Sequence, residues 1–213
     1  MVERTANSTA NSTANSPAEF TAEFKAEYLR PWLRERLERP AAERLPLDGN
    51  RASAVLIPLL WRPAGPSLLM VRKSSRLRKH AGQVAFPGGA LDLGETAVQA
   101  ALREAWEEIG LSPELVDIIG ELDDERTYVT DFHIRPVVGW VQAPPEVWTL
   151  DTGEIDSTME ITLAELVATE PCSWLEFTAM RRTWRIPRWE FGGDRVVWGA
   201  SARILHGFRQ RLL

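Results

Sequence analysis

The feature that most constrains the fold is the stretch Gly89–Leu111, in which a loop leads into an acidic, amphipathic helix. Thr96 and Gln99 have the spacing of a capping box, so we predict that Thr96 is the helix N-cap. Gly110 tolerates the left-handed conformation and is the predicted C-terminal stop. At 3.6 residues per turn, one face of the helix is apolar and requires a core to pack against. The apolar positions are Val98, Ala101, Leu102, Ala105 and Ile109.

A second face of the same helix carries Glu104, Glu107 and Glu108, because their spacings are i, i+3 and i+4. Neighbouring carboxylates repel one another, so a fold keeps such a cluster where it faces water or binds cations. Carboxylate oxygens suit Mg²⁺ or Mn²⁺, which take one or two carboxylates together with the phosphate oxygens of a substrate. The alternative interpretation is a solvated acidic face, which is the usual state of an acidic helix.

The loop before the helix favours a binding site. Phe86-Pro87-Gly88-Gly89 is predicted to turn the chain into the helix, and its glycines allow the backbone to approach other groups closely. Arg103 lies beside the carboxylates and can pair with a residue such as Glu95. That pair would fix the loop against the helix.

This stretch resembles the Nudix box, a pattern of the form G-x5-E-x7-R-E-U-x-E-E-x-G-U in which U is apolar. A motif of this length and spacing is a specific signal, unlike a lone glycine pattern. The resemblance implies a metal-dependent enzyme that hydrolyses a diphosphate linkage. Every specified position matches, at Gly89, Glu95, Arg103, Glu104, Ala105, Glu107, Glu108, Gly110 and Leu111.

Composition excludes several classes of protein. The chain has 213 residues, enough for one domain with additional segments, and a formal net charge of −5, which argues against a nonspecific nucleic-acid binder. Its single cysteine, Cys172, rules out an intrachain disulfide and fits a reducing compartment. No apolar run is long enough to span a membrane, and no N-terminal stretch has the apolar core of a signal peptide. We therefore expect a cytoplasmic protein with no membrane or nucleic-acid partner.

Three segments are predicted along the chain. Residues 1–17 repeat Thr-Ala-Asn-Ser and are expected to be a disordered low-complexity tail. Residues 18–49 are predicted to be a helical extension followed by a linker. Residues 50–213 are predicted to form the Nudix hydrolase domain.

Within the extension, the aromatic residues Phe20, Phe24 and Tyr28 have i, i+4 spacing. This stripe predicts a short helix that docks on the domain or on another subunit. Pro31 is predicted to end that helix or to begin a second one. Residues 40–50 are the predicted linker.

Strands mixed with a few helices predict an α/β or α+β sandwich for the domain. The resemblance implies the Nudix architecture, an α/β/α sandwich with a mixed sheet between helices. Residues 74–82 are predicted to be a basic loop, and two helices are predicted at 163–169 and 198–213. The predicted strands are residues 54–61, 67–71, 84–86, 116–122, 132–141, 159–162, 184–191 and 195–197.

The basic stretch before the box carries the substrate prediction. Residues 72–79 are mostly basic in an acidic chain, which indicates contact with a polyanion, although a solvated basic loop has the same composition. The stretch resembles the signature of the coenzyme A pyrophosphatase branch of the Nudix family, roughly L-L-T-x-R-S-x3-R-x3-G-x3-F-P-G-G. Residues 132–139 and 195–205 resemble this branch too. The signature positions that match are Leu69, Ser74, Arg78, Gly82, Phe86, Pro87, Gly88 and Gly89.

Two departures from this branch bear on chemistry. Lys73 stands in place of an arginine and keeps the charge but not the planar fork. Ser157 stands where a second glutamate is common. If that glutamate positions water or metal, a neighbouring acidic residue must substitute for it. The candidates are Glu154, Asp156 and Glu160.

The resemblance implies that Glu104, Glu107 and Glu108 hold Mg²⁺ or Mn²⁺, with the carbonyl of Gly88 or Gly89 as a backbone ligand. Glu95 and Arg103 would hold the box together. The general base stays open, with Glu107 as one candidate. The predicted substrate contacts are Lys73, Arg78, Gly82, Gly88 and Gly89.

Three functions stay open at this stage. The first is hydrolysis of coenzyme A or acyl-CoA to 3′,5′-ADP and (acyl-)4′-phosphopantetheine. The second is hydrolysis of another diphosphate, such as ADP-ribose, a dinucleotide or a nucleoside triphosphate. The third is a noncatalytic ligand-binding module with the same fold. A homodimer is possible from the resemblance alone.

Overall fold

The computed structural model describes residues 26–127, 131–179 and 182–213. The helices are α1 (Ala26–Glu38), α2 (Ala97–Ile109), α3 (Leu163–Ala168) and α4 (Gly199–Leu212), with a 3₁₀ turn at Pro113–Leu115. The first strands are β1 (Arg51–Arg62), β2 (Gly65–Lys73), β3 (Val84–Ala85), β4 (Gly88–Ala90), β5 (Val116–Glu121) and β6 (Glu125–Arg126). The later strands are β7 (Phe132–Val141), β8 (Ile155–Thr162), β9 (Ser173–Ala179), β10 (Arg182–Glu190) and β11 (Val196–Val197).

The described residues form one sheet of eight strands and a second of three. The main path of the large sheet is β3-β2-β1-β7-β5, while β4 pairs with β1, β6 with β7 and β8 with β2. β1 and β7 run parallel, from Arg51 opposite Phe132 to Leu59 opposite Trp140, and the other pairings are antiparallel. The mixed sheet with helices confirms the predicted α/β (α+β) sandwich.

Two apolar cores lie on opposite faces of this sheet, because successive strand residues point to opposite sides. Leu56 and Leu60 of β1 pack in one core with the alanine-rich face of α2. Ile57 and Leu59 pack in the other core with α1, α3 and α4. A strand that is buried on both faces has a continuous run of apolar residues instead of an alternating pattern, and this explains the apolar run in β1.

The predicted limits of α2 are confirmed. The Thr96 hydroxyl accepts a hydrogen bond from the Gln99 amide at 3.3 Å, and the Gln99 side chain accepts one from the Thr96 amide at 2.9 Å. Gly110 ends the helix at φ 67°, in the left-handed region. This capping box fixes the residue at which the helix starts. It therefore also fixes the positions of the carboxylates along the helix axis.

The prediction for Pro31 was wrong, because α1 continues through it. A proline inside a helix lacks one donor, but here the loss is offset by packing on the sheet. Leu29, Leu33 and Leu37 are buried at i, i+4 spacing and belong to the same core as α4. Tyr28, by contrast, is 58% exposed. The three leucines dock α1 together with the partly buried Trp32. Phe20 and Phe24 lie outside the described residues.

The predicted linker is tied to the domain through Asp124, whose side chain is fully buried. Asp124 accepts hydrogen bonds from Arg135 Nε at 3.0 Å, Arg44 Nη1 at 3.1 Å and the Leu45 amide at 3.1 Å. It also lies 3.0 Å from His133 Nε2. Burial alone would raise the pKa of Asp124, but the bonds from Arg135 and Leu45 outweigh it and lower the pKa. The carboxylate therefore stabilises the fold as an anion.

We expect Asp124→Asn to lower the free energy of unfolding by roughly 2–3 kcal/mol at pH 7, because it removes charge-assisted hydrogen bonds from a buried group. Because folding depresses this pKa, the stabilisation is present above the ordinary aspartate value of 3.8 and is lost as the pH falls below it. Urea unfolding between pH 7 and pH 3 checks both points. Glu146→Gln, at an exposed position, is the control; equal stability of the two variants would contradict the assignment.

Two of the three strands of the small sheet were predicted from the sequence. The hairpin of β10 and β11 across Gly192-Gly193 is confirmed, but β9 was missed. Its described side chains, from Ser173 to Glu176 and at Thr178, are exposed. A strand with mostly exposed side chains lacks the apolar alternation that marks a half-buried strand. None of the described helices has the length and apolar character needed to cross a membrane.

Candidate active site

The carboxylate helix lies directly against the two glycines of the preceding loop. Their predicted turn is a short strand, β4, in which Gly88 pairs with Val55 and Gly89 with Ala54. A Cβ on Gly88 would lie 2.4 Å from the Ala54 carbonyl oxygen, and one on Gly89 would lie 2.2 Å from Glu104 Oε1. Gly88 therefore requires glycine, because a side chain would meet the backbone of β1, whereas a side chain at Gly89 would displace the Glu104 carboxylate.

Arg103 joins the loop to the helix through a bidentate pair with Glu95. Its Nε lies 2.9 Å from Glu95 Oε1 and its Nη2 lies 3.0 Å from Glu95 Oε2. Nη2 also donates to the Ala90 carbonyl oxygen at 3.0 Å. The hydrogen bond from Arg103 lowers the pKa of Glu95, which therefore stays ionised. Arg103 and Glu95 meet as the sequence predicted, in a planar fork that resists rotation.

The remaining guanidinium donor of Arg103 reaches two of the three clustered carboxylates. Nη1 lies 2.9 Å from Glu104 Oε1 and 3.2 Å from Glu107 Oε2. The Glu104 side chain is 17% exposed, whereas that of Glu107 is 54% exposed. Arg103 thus compensates their mutual repulsion and leaves Glu107 facing solvent.

Glu108, the third carboxylate, is buried and paired with Lys73. It is 2% exposed, and the Lys73 ammonium donates to its Oε1. Among the described residues, its Oε2 is buried without a hydrogen-bond partner. Burial raises the pKa of Glu108 to about 7, and the charge of Lys73 opposes that rise. A buried acceptor without a hydrogen-bond partner raises the free energy of the folded protein, so a ligand bound to this oxygen would be stabilising.

The donor set fits a divalent cation. As their side chains stand, the described His, Cys, Asp and Glu residues form no group of three around a common point. Two observations nevertheless suit a hard cation beside α2: the unpartnered Glu108 Oε2, and the Gly89 backbone against the Glu104 carboxylate. Carboxylate and carbonyl oxygens are the ligands that Mg²⁺ and Mn²⁺ prefer.

A pocket of about 260 Å³ opens beside these glycines. Its lining includes the apolar residues Phe132 of β7 and Ile204 of α4, together with His80 of the basic loop and Gln83, which directly follows that loop. His80 Nδ1 and Gln83 Oε1 are 2.7 Å apart. Lys73, whose ammonium donates to the Glu108 carboxylate, also lines the pocket.

Not all predicted substrate contacts meet at the pocket. Lys73, Gly88 and Gly89 line it, whereas Arg78 and Gly82 do not. Arg78 is exposed on the basic loop. Gly82 closes that loop, since its amide donates to the Lys73 carbonyl oxygen at 3.0 Å and its φ is 67°. Gly82 is therefore placed to shape the loop.

Sequence reasoning missed the pocket wall supplied by Phe132, Ile204 and the start of α4. These residues come from elements far apart in the chain, and no local pattern brings them together. The available signal was the resemblance of residues 132–139 and 195–205 to the coenzyme A pyrophosphatase branch. Both stretches supply lining residues of the pocket.

The residues around Ser157 have distinct environments. Ser157 pairs with Arg72 across β8 and β2, and Asp156 accepts a hydrogen bond from the Ser75 amide at 2.9 Å. Glu160 pairs with Arg62, with an Nη2–Oε1 distance of 2.7 Å. Glu154 is exposed, and its charge contributes to the raised pKa of Glu108. Of the three candidates, Glu154 is the one electrostatically coupled to the carboxylate cluster.

Comparison with known proteins identifies the family of this chain. The family model of the NUDIX domain matches residues 50–195. Nudix hydrolase 3 of Caenorhabditis elegans is 33% identical over 175 residues, covering 75% of this chain and 72% of that protein. The Nudix hydrolase NudL of Klebsiella pneumoniae is 46% identical over 134 residues, covering 62% of this chain and 67% of that protein. The chain belongs to the NUDIX family and is a Nudix hydrolase. Nudix hydrolases generally use divalent metal cations.

Solved structures give more distant similarities. The NUDIX domain of Shewanella oneidensis NrtR, complexed with ADP ribose, has a TM-score of 0.48 at 13% identity and covers 89% of this chain and 99% of its own. An Ap4A hydrolase binary complex from C. elegans has a TM-score of 0.45 at 20% identity. The match covers 55% of this chain and 83% of that structure's chain. At these values neither similarity bears on the substrate.

Proposed function

We propose that this Nudix hydrolase cleaves the diphosphate linkage of coenzyme A or an acyl-CoA. The products would be 3′,5′-ADP and (acyl-)4′-phosphopantetheine. The observation that carries the proposal is one juxtaposition: an apolar pocket is lined both by His80 of the basic loop and by Lys73 and Gly89, which adjoin the carboxylate cluster. Coenzyme A combines a diphosphate with a long organic arm and an additional phosphate. The resemblance of residues 69–89 to the coenzyme A pyrophosphatase signature supports the same substrate.

The proposed metal is Mg²⁺ or Mn²⁺, held by Glu104, Glu107 and Glu108 with the Gly89 carbonyl as a backbone ligand. When bound, such an ion neutralises charge on the phosphoryl oxygens and supplies Lewis acidity. Glu107 stays a candidate for the general base, because it is the most solvent-exposed of the three carboxylates. Glu154 is a second candidate through its coupling to Glu108.

The other residues of the site position the carboxylates or attract the substrate. Arg103 holds Glu104 and Glu107 in place and is itself fixed by Glu95. The exposed cations Arg78 and Lys79 would draw a polyanion toward the pocket, since clustered charge raises the local concentration of an oppositely charged ligand. Arg78 would then contact a substrate phosphate at the rim rather than inside the pocket.

Of the other functions predicted from the sequence, the noncatalytic module is not retained, because the chain is a Nudix hydrolase. Hydrolysis of another diphosphate stays the alternative, since an apolar pocket also accepts the base of a different nucleotide. The cytoplasmic location and the homodimer remain predictions.

The proposal is tested by comparing kcat/KM for coenzyme A with that for ADP-ribose, NADH and dGTP, each with Mg²⁺ and with Mn²⁺. We expect coenzyme A to have the highest kcat/KM and turnover to stop when the metal is chelated. A higher kcat/KM for ADP-ribose, NADH or dGTP would leave the hydrolase assignment in place and overturn the coenzyme A assignment.

Filling the pocket is expected to weaken substrate binding more than it slows chemistry. Ala200, at the start of α4, lines the pocket and is partly exposed, so a larger side chain there enters the pocket without disrupting the core. For Ala200→Trp we expect KM to rise about 10- to 100-fold, the range over which a pocket discriminates by shape. Ala164→Trp, at an exposed position of α3, is the matched control. Equal KM values for the two variants would show that the substrate does not use this pocket.

A further inference from the structure

We propose that Lys73 is an exchangeable counter-ion for Glu108. In the metal-free protein its ammonium neutralises the buried carboxylate; when a divalent cation takes that role, the ammonium moves into the pocket and binds a phosphate of the substrate. Metal binding and substrate binding would thereby be coupled through one side chain. This inference rests on the proposed diphosphate hydrolase function and adds a role for Lys73 within it.

The first support is the position of the ammonium. Lys73 donates to Glu108 Oε1 and also lines the pocket beside Gly88 and Gly89. The side chains of Lys73 and Glu108 are 15% and 3% exposed. A buried carboxylate requires a positive partner, and Lys73 supplies one in this structure. The same ammonium can reach the pocket by rotating its flexible four-carbon stem.

The second support is the way in which the backbone directs this side chain. The register between β2 and β8 shifts between Arg72 and Lys73, so that Arg72 faces Ser157 and Lys73 faces Ile155. An irregularity of this kind redirects a side chain next to a site. Arg72 pairs with Asp194 at 2.9 Å, away from the carboxylates. The Lys73 amide donates to the Gln83 carbonyl oxygen at 2.9 Å, so its backbone is held while its ammonium can move.

The third support is the incomplete pairing of Glu108. A lysine ammonium is a compact charge, and here it contacts one carboxylate oxygen and leaves Oε2 without a partner among the described residues. An arginine would present a planar fork that can occupy both oxygens. The lysine at this position therefore leaves one oxygen of Glu108 available to a cation.

Electrostatics supplies the driving force for the exchange. A divalent cation beside Glu108 compensates the carboxylate more strongly than one ammonium does, and it repels the ammonium at the same time. A diphosphate in the pocket attracts the displaced ammonium. Each ligand thus favours the other, which is the condition for thermodynamic coupling between two sites.

The decisive experiment is a titration of the 213-residue chain with Mn²⁺ alone, in which electron paramagnetic resonance measures the concentration of free Mn²⁺. We expect Lys73→Met to bind Mn²⁺ about tenfold more tightly than the wild type and Lys73→Arg about tenfold more weakly, within the usual range of coupling between sites. Arg72→Met is the matched control, and its Mn²⁺ affinity should equal that of the wild type. Unchanged or weaker Mn²⁺ binding by Lys73→Met would overturn the exchange.

A second titration measures inorganic pyrophosphate binding at saturating Mn²⁺. Lys73→Met is expected to lose about tenfold in pyrophosphate affinity relative to Arg72→Met, because the displaced ammonium is missing. Equal affinities would contradict the movement into the pocket. Lys73→Arg keeps both tests informative if Lys73→Met folds poorly. Neither titration uses coenzyme A, so failure of the substrate proposal leaves these results interpretable.

Discussion

Glu108→Gln is expected to lower kcat about 100- to 1000-fold, which corresponds to the several kcal/mol that a catalytic metal contributes to the transition state. The substitution keeps the shape of the side chain and removes its charge. Glu108 is buried and paired with Lys73. A neutral amide there would hold a cation poorly, while the packing of α2 on the sheet is unchanged.

The measurement is kcat with saturating Mg²⁺, together with thermal unfolding to show that the variant is folded. Glu114→Gln is the matched control, since Glu114 is an exposed glutamate of the 3₁₀ turn, outside the cluster. We expect the control to keep its activity. Near-normal turnover by Glu108→Gln would remove Glu108 from the metal ligands.

The second large effect is expected from one methyl group at Gly89. In Gly89→Ala the new Cβ would lie 2.2 Å from Glu104 Oε1, so the Glu104 carboxylate must move. That carboxylate is held by Arg103 at 2.9 Å, and its displacement disturbs the pairs that join loop and helix. A shift of about 1 Å in a reacting group costs on the order of 100-fold in rate. We therefore expect kcat to fall about 100-fold.

The control for this variant is Gly207→Ala, because nothing lies within 4 Å of a Cβ at that position of α4. It should keep full activity and gain slightly in stability from the better helix propensity of alanine. Steady-state kinetics and Mn²⁺ affinity are measured for both variants. If Gly89→Ala kept wild-type values of both, the contact between Gly89 and Glu104 would have no role in the site.

Local features of the site could be predicted from the sequence because short-range geometry determines them. The capping box of Thr96 and Gln99 and the left-handed Gly110 define α2 within a few residues of chain. The helix period then places Glu104, Glu107 and Glu108 on adjacent turns, and Arg103 within reach of Glu95. These relations require no knowledge of the remaining fold.

Long-range relations could not be predicted in this way. Lys73 and Glu108 lie 35 positions apart, and their pairing depends on the register of β2 and on how α2 crosses the sheet. The pocket wall likewise depends on residues of β7 and of α4 that line the same space. Pro31 illustrates the same limit. A proline disfavours a helix locally, but the burial of Leu29, Leu33 and Leu37 stabilises α1 despite it.

The most direct test of the account is to incubate the protein with coenzyme A and Mg²⁺ and to identify the products by mass. We expect 3′,5′-ADP and 4′-phosphopantetheine in equal amounts, no product after chelation of the metal, and about 100- to 1000-fold slower formation of both products with Glu108→Gln. Intact coenzyme A under the same conditions, with ADP-ribose or a dinucleotide cleaved instead, would contradict the central claim.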